Sequence, residues 1–235
     1  MTKLLYLENT YLFEEKAKIL TLQNKDGRSG VILDQTIFYP QGGGQPADKG
    51  QIISKEAIFS VDDVRLDEDG TVWHFGEFEQ GEFQKGDRVA LKIDKQRRIL
   101  NAKLHSAGHL LDCAVTQINL RDLTPIKGFH FPQGSYVEYQ GQIENPADII
   151  PELEKTVNEL AIADLQIQKK DLSPAEAKTQ GIWAPEGKSA RIVNFANFTP
   201  CGCGGTHVLS SREIGKITIR KIKSKKGITR ISYSI

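Results

Sequence analysis

Asp94-Lys95-Gln96-Arg97-Arg98-Ile99-Leu100-Asn101-Ala102-Lys103-Leu104-His105-Ser106-Ala107-Gly108-His109-Leu110-Leu111 is where the chain changes from strand-like alternation to helical periodicity. Asp94 can cap a helix that runs from there toward Ile118. At roughly 100° per residue, Ile99, Leu104, Ala107, Leu110, Leu111, Ala114, Val115 and Ile118 share one broad aliphatic stripe. His105 and His109 lie off that stripe, one turn apart, beside Arg98, Asn101 and Asp112. Two imidazoles at this spacing arrive already oriented on one face of one helix, and their place away from the stripe points to a polar site.

Upstream, residues 1 to 92 show short apolar-polar alternations broken by glycine and aspartate. Gly30 to Phe38, Gly50 to Ile53 and Thr71 to Phe75 are strand-like, and Gly86 to Ile93 reads as the last strand of the series. Turn pairs such as Asp26-Gly27 and Asp69-Gly70 recur between them, a spacing that predicts a small β-barrel or sandwich. Within it, Phe38-Tyr39-Pro40-Gln41-Gly42-Gly43-Gly44-Gln45-Pro46-Ala47-Asp48-Lys49-Gly50 carries three successive glycines. Read from the residues alone, this is a tight loop between strands; the functional reading is a loop whose amides meet a phosphate or a ribose. No Gly-Lys-Ser/Thr follows, so it is not a P-loop.

Downstream, Phe129 to Tyr139 predicts two strands around Gln133-Gly134. Asp148 to Asp164 reads as a helix with Pro151 in its first turn, followed by a strand from Leu165 to Lys169. Ser173-Pro174-Ala175-Glu176 is a capping box opening a short helix that Gly181 ends. Arg191 to Phe195, Ile214 to Ile222 and Ile228 to Tyr233 complete the strand candidates. Helices mixed with meandering strands predict an α+β fold class, with a small barrel domain over 1–92 and an α+β domain over 93–235.

The totals narrow the function classes. The chain has 235 residues, 39% apolar and 26% charged, which suits a folded protein with a full core. A net charge of +1 excludes a uniformly basic coat, so any polyanion has to meet local patches. Two such patches exist: Lys92, Lys95, Arg97, Arg98 and Lys103, and then Lys216, Arg220, Lys221, Lys223, Lys225, Lys226 and Arg230. No apolar run reaches membrane-spanning length, and the first residues do not resemble a secretory signal. Three cysteines, two of them one residue apart, argue against a disulfide framework and for a reducing, cytoplasmic setting.

Cys203-Gly204-Gly205-Thr206-His207 supplies what the helix lacks. Its glycines let Cys203 and His207 bend toward a common point, and with His105 and His109 they form a set suited to one tetrahedral zinc ion per chain. Four protein ligands normally close a structural site, whereas a reactive zinc keeps a position open, and the residues leave both roles possible. Cys201 or Cys113 could replace Cys203 as the thiolate. A His-Glu-x-x-His metalloprotease is excluded because Ser106 stands where its glutamate has to be. The wide separation of the two pairs also argues against a zinc finger.

These same residues carry a resemblance. His105-Ser106-Ala107-Gly108-His109-Leu110-Leu111 and Cys203-Gly204-Gly205-Thr206-His207-Val208 resemble the editing domain of alanyl-tRNA synthetase and the free-standing AlaX proteins. The Phe38 to Gly50 loop is similar to the N-terminal signature of the longer AlaX forms, and Tyr136 to Tyr139, Arg191 to Val193 and Glu213 to Ile217 extend the match over nearly the whole chain. The resemblance implies a β-barrel ahead of an α+β editing domain shared with threonyl-tRNA synthetase. It implies hydrolysis of mischarged tRNA(Ala), chiefly Ser-tRNA(Ala) and also Gly-tRNA(Ala). It further implies His105, His109, Cys203 and His207 as zinc ligands and Gly42, Gly43, Gly44 and Gln45 as substrate-binding. Thr206 is the exposed candidate for reading the amino acid. No protein partner and no membrane is implied. Two positions depart from the family: Gly108, where many relatives have threonine, and Ile126, where many have glutamine.

Overall fold

The computed structural model describes residues 1–120, 122–182 and 189–235. The chain forms two compact units, Met1–Leu100 and Asn101–Ile235. The division falls inside the long helix α1 (Lys95–Gln117) rather than at 92/93. The reason is Arg98, which is spent inside the first unit.

That unit is a closed barrel of β1 (Glu14–Lys25), β2 (Arg28–Leu33), β3 (Gly50–Ile53), β4 (Ile58–Leu66), β5 (Val72–Gln80) and β6 (Arg88–Ile93), in the order β1-β2-β5-β4-β3-β6. Every neighbouring pair is antiparallel. Strand β6 shows why the alternation was legible: Val89, Leu91 and Ile93 are buried in turn, and Arg88, Ala90 and Lys92 face outward. Ile19, Leu33, Ile52, Phe59, Val61 and Val72 fill the same interior. Closure removes the exposed edges that an open sheet of this size would present.

Arg98 and Asp48 lie in this unit with side chains 0% exposed. The Arg98 guanidinium donates from Nε to both Asp48 oxygens, at 3.2 and 3.0 Å, and from Nη1 to the Thr10 carbonyl at 3.0 Å. Nη2 bonds to the Ile37 carbonyl and to Asp48 Oδ2. The Tyr39 N–H donates to the same carboxylate at 2.7 Å. A buried fork of this kind satisfies charge and geometry together. It also corrects the sequence reading, which placed Arg98 in a phosphate-facing basic patch.

The second unit holds the rest of α1, strands β7 (Thr124–Phe129) and β8 (Tyr136–Gln140), helix α2 (Pro146–Ile162), strand β9 (Ile167–Leu172), helix α3 (Pro174–Thr179) and strands β10 (Ala190–Phe195), β11 (Cys201–Gly202), β12 (Thr218–Lys225) and β13 (Ile228–Ser234). Two antiparallel sheets result, β12-β13-β8-β7 and β9-β10-β11. Asp94 accepts from the Arg97 N–H at 3.0 Å, as an N-cap does. Leu104, Ala107, Leu110, Leu111, Ala114 and Val115 are buried in one core with Val137, Tyr139, Leu153, Val157 and Ile231. The capping box at Ser173 and Glu176 is present.

Three details differ from the sequence reading. Pro146, not Pro151, opens α2, and Pro151 lies inside it. Strand β9 begins at Ile167, because Leu165 bonds back to Ser211. Ile214 ends a 3-10 turn over Ser211–Ile214, capped by Ser210, so β12 starts at Thr218.

Replacing Arg98 alone with methionine leaves the Asp48 carboxylate buried and unpaired, and is expected to cost about 3–5 kcal/mol of unfolding free energy. The paired change Arg98→Met with Asp48→Leu is expected to cost much less. Equilibrium denaturation of the three proteins measures this, and a single-mutant loss below about 1 kcal/mol contradicts it.

Candidate metal centre

Helix α1 presents His105 and His109 with ring centroids 5.1 Å apart and nearly parallel planes. The loop after β11 brings Cys203 and His207 to them. Cys203 Sγ lies 3.4 Å from His105 Nε2 and 3.3 Å from His207 Nε2. The four donor atoms of His105, His109, Cys203 and His207 all lie within 4.8 Å of one another. Tetrahedral zinc, with Zn–N of about 2.1 Å and Zn–S of about 2.3 Å, sets nitrogen and sulfur about 3.6 Å apart. The observed nitrogen-sulfur separations match that edge to within a few tenths, and the donor set is the one zinc prefers.

Surrounding groups hold Cys203 and His207. Arg191 on β10 donates from Nη1 to the carbonyls of Cys203 (2.6 Å) and Gly205 (3.0 Å), clamping the loop at both ends of its turn. The Cys203 N–H returns to the Arg191 carbonyl at 2.9 Å. Ser106 Oγ accepts from the Val208 N–H at 3.2 Å and lies 3.1 Å from His207 Nδ1. A neutral imidazole that offers Nε2 to a cation keeps its proton on Nδ1, and Ser106 is placed to take it. The residue that excluded a metalloprotease thus has its own task.

Cys203, rather than Cys201 or Cys113, joins the four-donor group. Cys201 Sγ lies instead 3.2 Å from His109 Nδ1. Cys113 is buried and shares with Cys201, Asp112 and Tyr139 a cavity of about 260 Å³ beside His109. The Tyr139 hydroxyl donates to Asp112 at 2.6 Å. Burial pushes the Asp112 carboxyl up to about 7.

Electrostatically the centre is a set of neutral donors. Burial is the main cause that lowers His109 to about 4, with the Arg191 charge adding to it. Burial, and then the neighbouring imidazoles, hold His105 and His207 well below the usual histidine range. Burial also raises the Cys203 thiol, while the Gly205 N–H, 3.3 Å from Sγ, and the Arg191 charge pull it back. Cys201 is pushed up to about 12 by burial and then by the charges of Cys203 and Asp112. Of these two thiols, Cys203 is the one with an N–H and a nearby cation that partly offset the effect of burial.

Thr206 is 0% exposed, which corrects its reading as the exposed group of the loop. In the barrel unit, Gly42 and Gln45 close a two-residue turn by mutual backbone bonds of 3.2 and 2.8 Å. Gly43 and Gly44 take φ of 52° and 78°, the left-handed pair such a turn requires. Gly42 and Gly43 are exposed, and the Gln45 side chain is buried. Sequence reasoning passed over Ser106, Arg191 and His130 as parts of the centre; their contacts with the ligands, 12 residues apart for Arg191 and Cys203 and 101 for Ser106 and His207, reveal them.

Comparison with known proteins follows the same outline. Residues 6–97 match the family of class II (A) tRNA synthetases, and residues 190–232 match the threonyl and alanyl tRNA synthetase second additional domain. The alanyl-tRNA editing protein AlaX-M of Pyrococcus horikoshii is 34% identical over 95% of this chain and 91% of its own length. AlaX-L of the same organism is 34% identical over 100% of this chain and 58% of its own length. An alanine–tRNA ligase of Methanobrevibacter smithii is 31% identical over 99% of this chain. The chain spans only 27% of that ligase.

With burial holding the imidazoles neutral near pH 7 and the raised Cys203 thiol still protonated, uptake of zinc should release one proton. Apparent zinc affinity is therefore expected to rise about tenfold per pH unit between pH 6 and 8. Chelator competition measures it, and a flat profile contradicts the thiol as ligand.

Proposed function

The chain belongs to the alanyl-tRNA editing family of AlaX proteins, and from that premise we propose that it deacylates mischarged tRNA(Ala) in trans, chiefly Ser-tRNA(Ala) and also Gly-tRNA(Ala). The observation that carries the reading is the quartet of His105, His109, Cys203 and His207, of which Cys203 and His207 lie within the residues that match the threonyl and alanyl tRNA synthetase second additional domain.

In this reading the quartet would hold one zinc ion, which would supply a Lewis acid to the aminoacyl ester by accepting a fifth ligand or releasing one of the four. The chain's own residues do the rest. Arg191 and Ser106 keep Cys203 and His207 in place. Neutral imidazoles can hold a cation without first losing protons. Thr206, next to His207, is the proposed reader of the amino acid, acting from inside the loop. Gly42, Gly43, Gly44 and Gln45 are the proposed contact of the barrel unit with the substrate.

Editing requires that seryl ester be cleaved and alanyl ester spared, although alanine is the smaller. Size cannot do this, but a site built to bond the serine hydroxyl leaves polar groups unpaired with alanine, and discrimination of about 10⁴ is attainable that way.

Contact with the tRNA backbone is assigned to the exposed lysines Lys216, Lys221, Lys223, Lys225 and Lys226 around the β12–β13 hairpin. The two arginines of that cluster are engaged otherwise. Arg220 donates to the carbonyls of Tyr233 and Ser135, and Arg230 forks onto Glu138 at 2.9 and 2.6 Å. No helix among the described residues is long and apolar enough to cross a membrane.

A four-ligand set also suits a zinc-stabilised tRNA-binding module without catalysis. Incubation with Ser-tRNA(Ala), Ala-tRNA(Ala) and Thr-tRNA(Thr) separates the two: selective loss of the seryl ester is expected, and binding without ester loss on all three supports the module. His109→Ala and Cys203→Ala are expected to lose zinc and deacylation together; full activity in a metal-free variant sinks the proposal. Changing Lys221, Lys223 and Lys225 to glutamine should lower the salt slope of tRNA binding by about two to three. An unchanged slope places the tRNA elsewhere.

A further inference from the structure

His130 follows β7 and lies against the histidine helix, 4% exposed. Its ring stacks on that of His105, with centroids 4.5 Å apart and planes 19° apart. Its Nδ1 lies 2.6 Å from the Tyr233 hydroxyl, and that hydroxyl donates to the Leu104 carbonyl at 2.8 Å. A phenol has one hydrogen. Given to Leu104, it leaves Nδ1–H of His130 as the donor to the Tyr233 oxygen. The ring is thus tied through Tyr233 to the residue directly before His105.

Two glycines make the space for it. A Cβ on Gly108, between the two helical histidines, would lie 2.4 Å from His130 Cε1, 2.8 Å from Nδ1 and 3.0 Å from the Tyr233 hydroxyl. A Cβ on Gly128 would lie 2.4 Å from His130 Nε2. Neither glycine is among those with positive φ, so neither answers to a backbone need. Glycine inside a helix is a poor choice unless something else occupies its side-chain volume. Here an imidazole does.

We propose that His130 is a positioning residue of the metal centre: stacked on His105 and tied to Leu104 through Tyr233, it holds the His105 ring with Nε2 toward Cys203, and Gly108 and Gly128 lack side chains to admit it. Its effect on affinity rests on the reading of the quartet as a zinc site; its effect on the His105 ring does not.

The discriminating measurement is zinc affinity by chelator competition in the wild type and four variants, with circular dichroism to confirm folding. Loss of a group that orients a ligand typically costs about 10–100-fold in metal affinity, and that loss is expected for His130→Ala. Gly108→Ala should show a similar loss by displacing the ring. The double variant refills the volume with a methyl group. If His130 only fills space, the double variant regains wild-type affinity, and the proposal is overturned; if it positions His105, the loss persists. Tyr233→Phe keeps both rings and removes the tie, so it tests the idea even if His130→Ala does not fold; an affinity loss of about threefold to tenfold is expected, and none overturns it. Nitrogen NMR of the metal-free protein separates this from the zinc reading. One His105 tautomer in the wild type, mixed in the Tyr233→Phe variant, is expected. Unchanged His105 signals there overturn the positioning role, whereas absent zinc binding by the wild type overturns only the metal reading.

Discussion

Three imidazoles and a thiol, those of His105 and His207 buried and those of His109 and Cys203 half-buried, have donor atoms within 4.8 Å of one another, and the folded second unit has to satisfy them. Polar side chains removed from water cost free energy unless each has a partner. The solution is layered. Cys203 bridges His105 and His207, Ser106 faces the far nitrogen of His207, Cys201 faces that of His109, and Arg191 fastens the loop backbone. Helix α1 and the loop after β11 are thereby locked to each other by polar contacts. The aliphatic face of α1, from Leu104 to Val115, packs into the core independently. One helix thus carries two kinds of packing at once, and the polar one is what gives the unit its chemistry.

In the barrel unit a comparable constraint acts through Arg98. A guanidinium inside a protein demands acceptors in a plane, and Asp48 with the carbonyls of Thr10 and Ile37 provides them. Asp48 belongs to the glycine-rich stretch, so the tight turn from Gly42 to Gln45 is anchored a few residues along by a buried charge. The turn owes its shape to Gly43 and Gly44 and its attachment to Arg98.

Much of this was legible in the residues. The Val89-Leu91-Ile93 alternation encodes a strand because successive side chains face opposite sides of a sheet. The stripe from Leu104 to Val115 encodes a helix because its period matches 3.6 residues per turn. Ser173 and Glu176 encode a cap because they satisfy amides three residues away. Each is a local rule. What escaped was non-local: Arg98 looked like a solvent-facing cation and is buried, and Thr206 looked exposed and is buried. Both depend on what another part of the chain brings alongside. Sequence spacing gives a residue's face on its own element, not what lies opposite that face.

The sequence by itself determined the α+β class, the barrel strands, the long helix and the two ligand-spaced pairs, because periodicity and spacing act over a few residues. It also exposed Gly108 as unusual without supplying a cause. Only the tertiary structure decided which thiol joins the three histidines, since Cys201 on β11 and Cys203 just after it, two positions apart, meet different partners. Only it showed that the volume beside Gly108 belongs to His130, from the segment just after β7. Close packing leaves room for one side chain there, and which one fills it is settled by contact in space rather than by order along the chain.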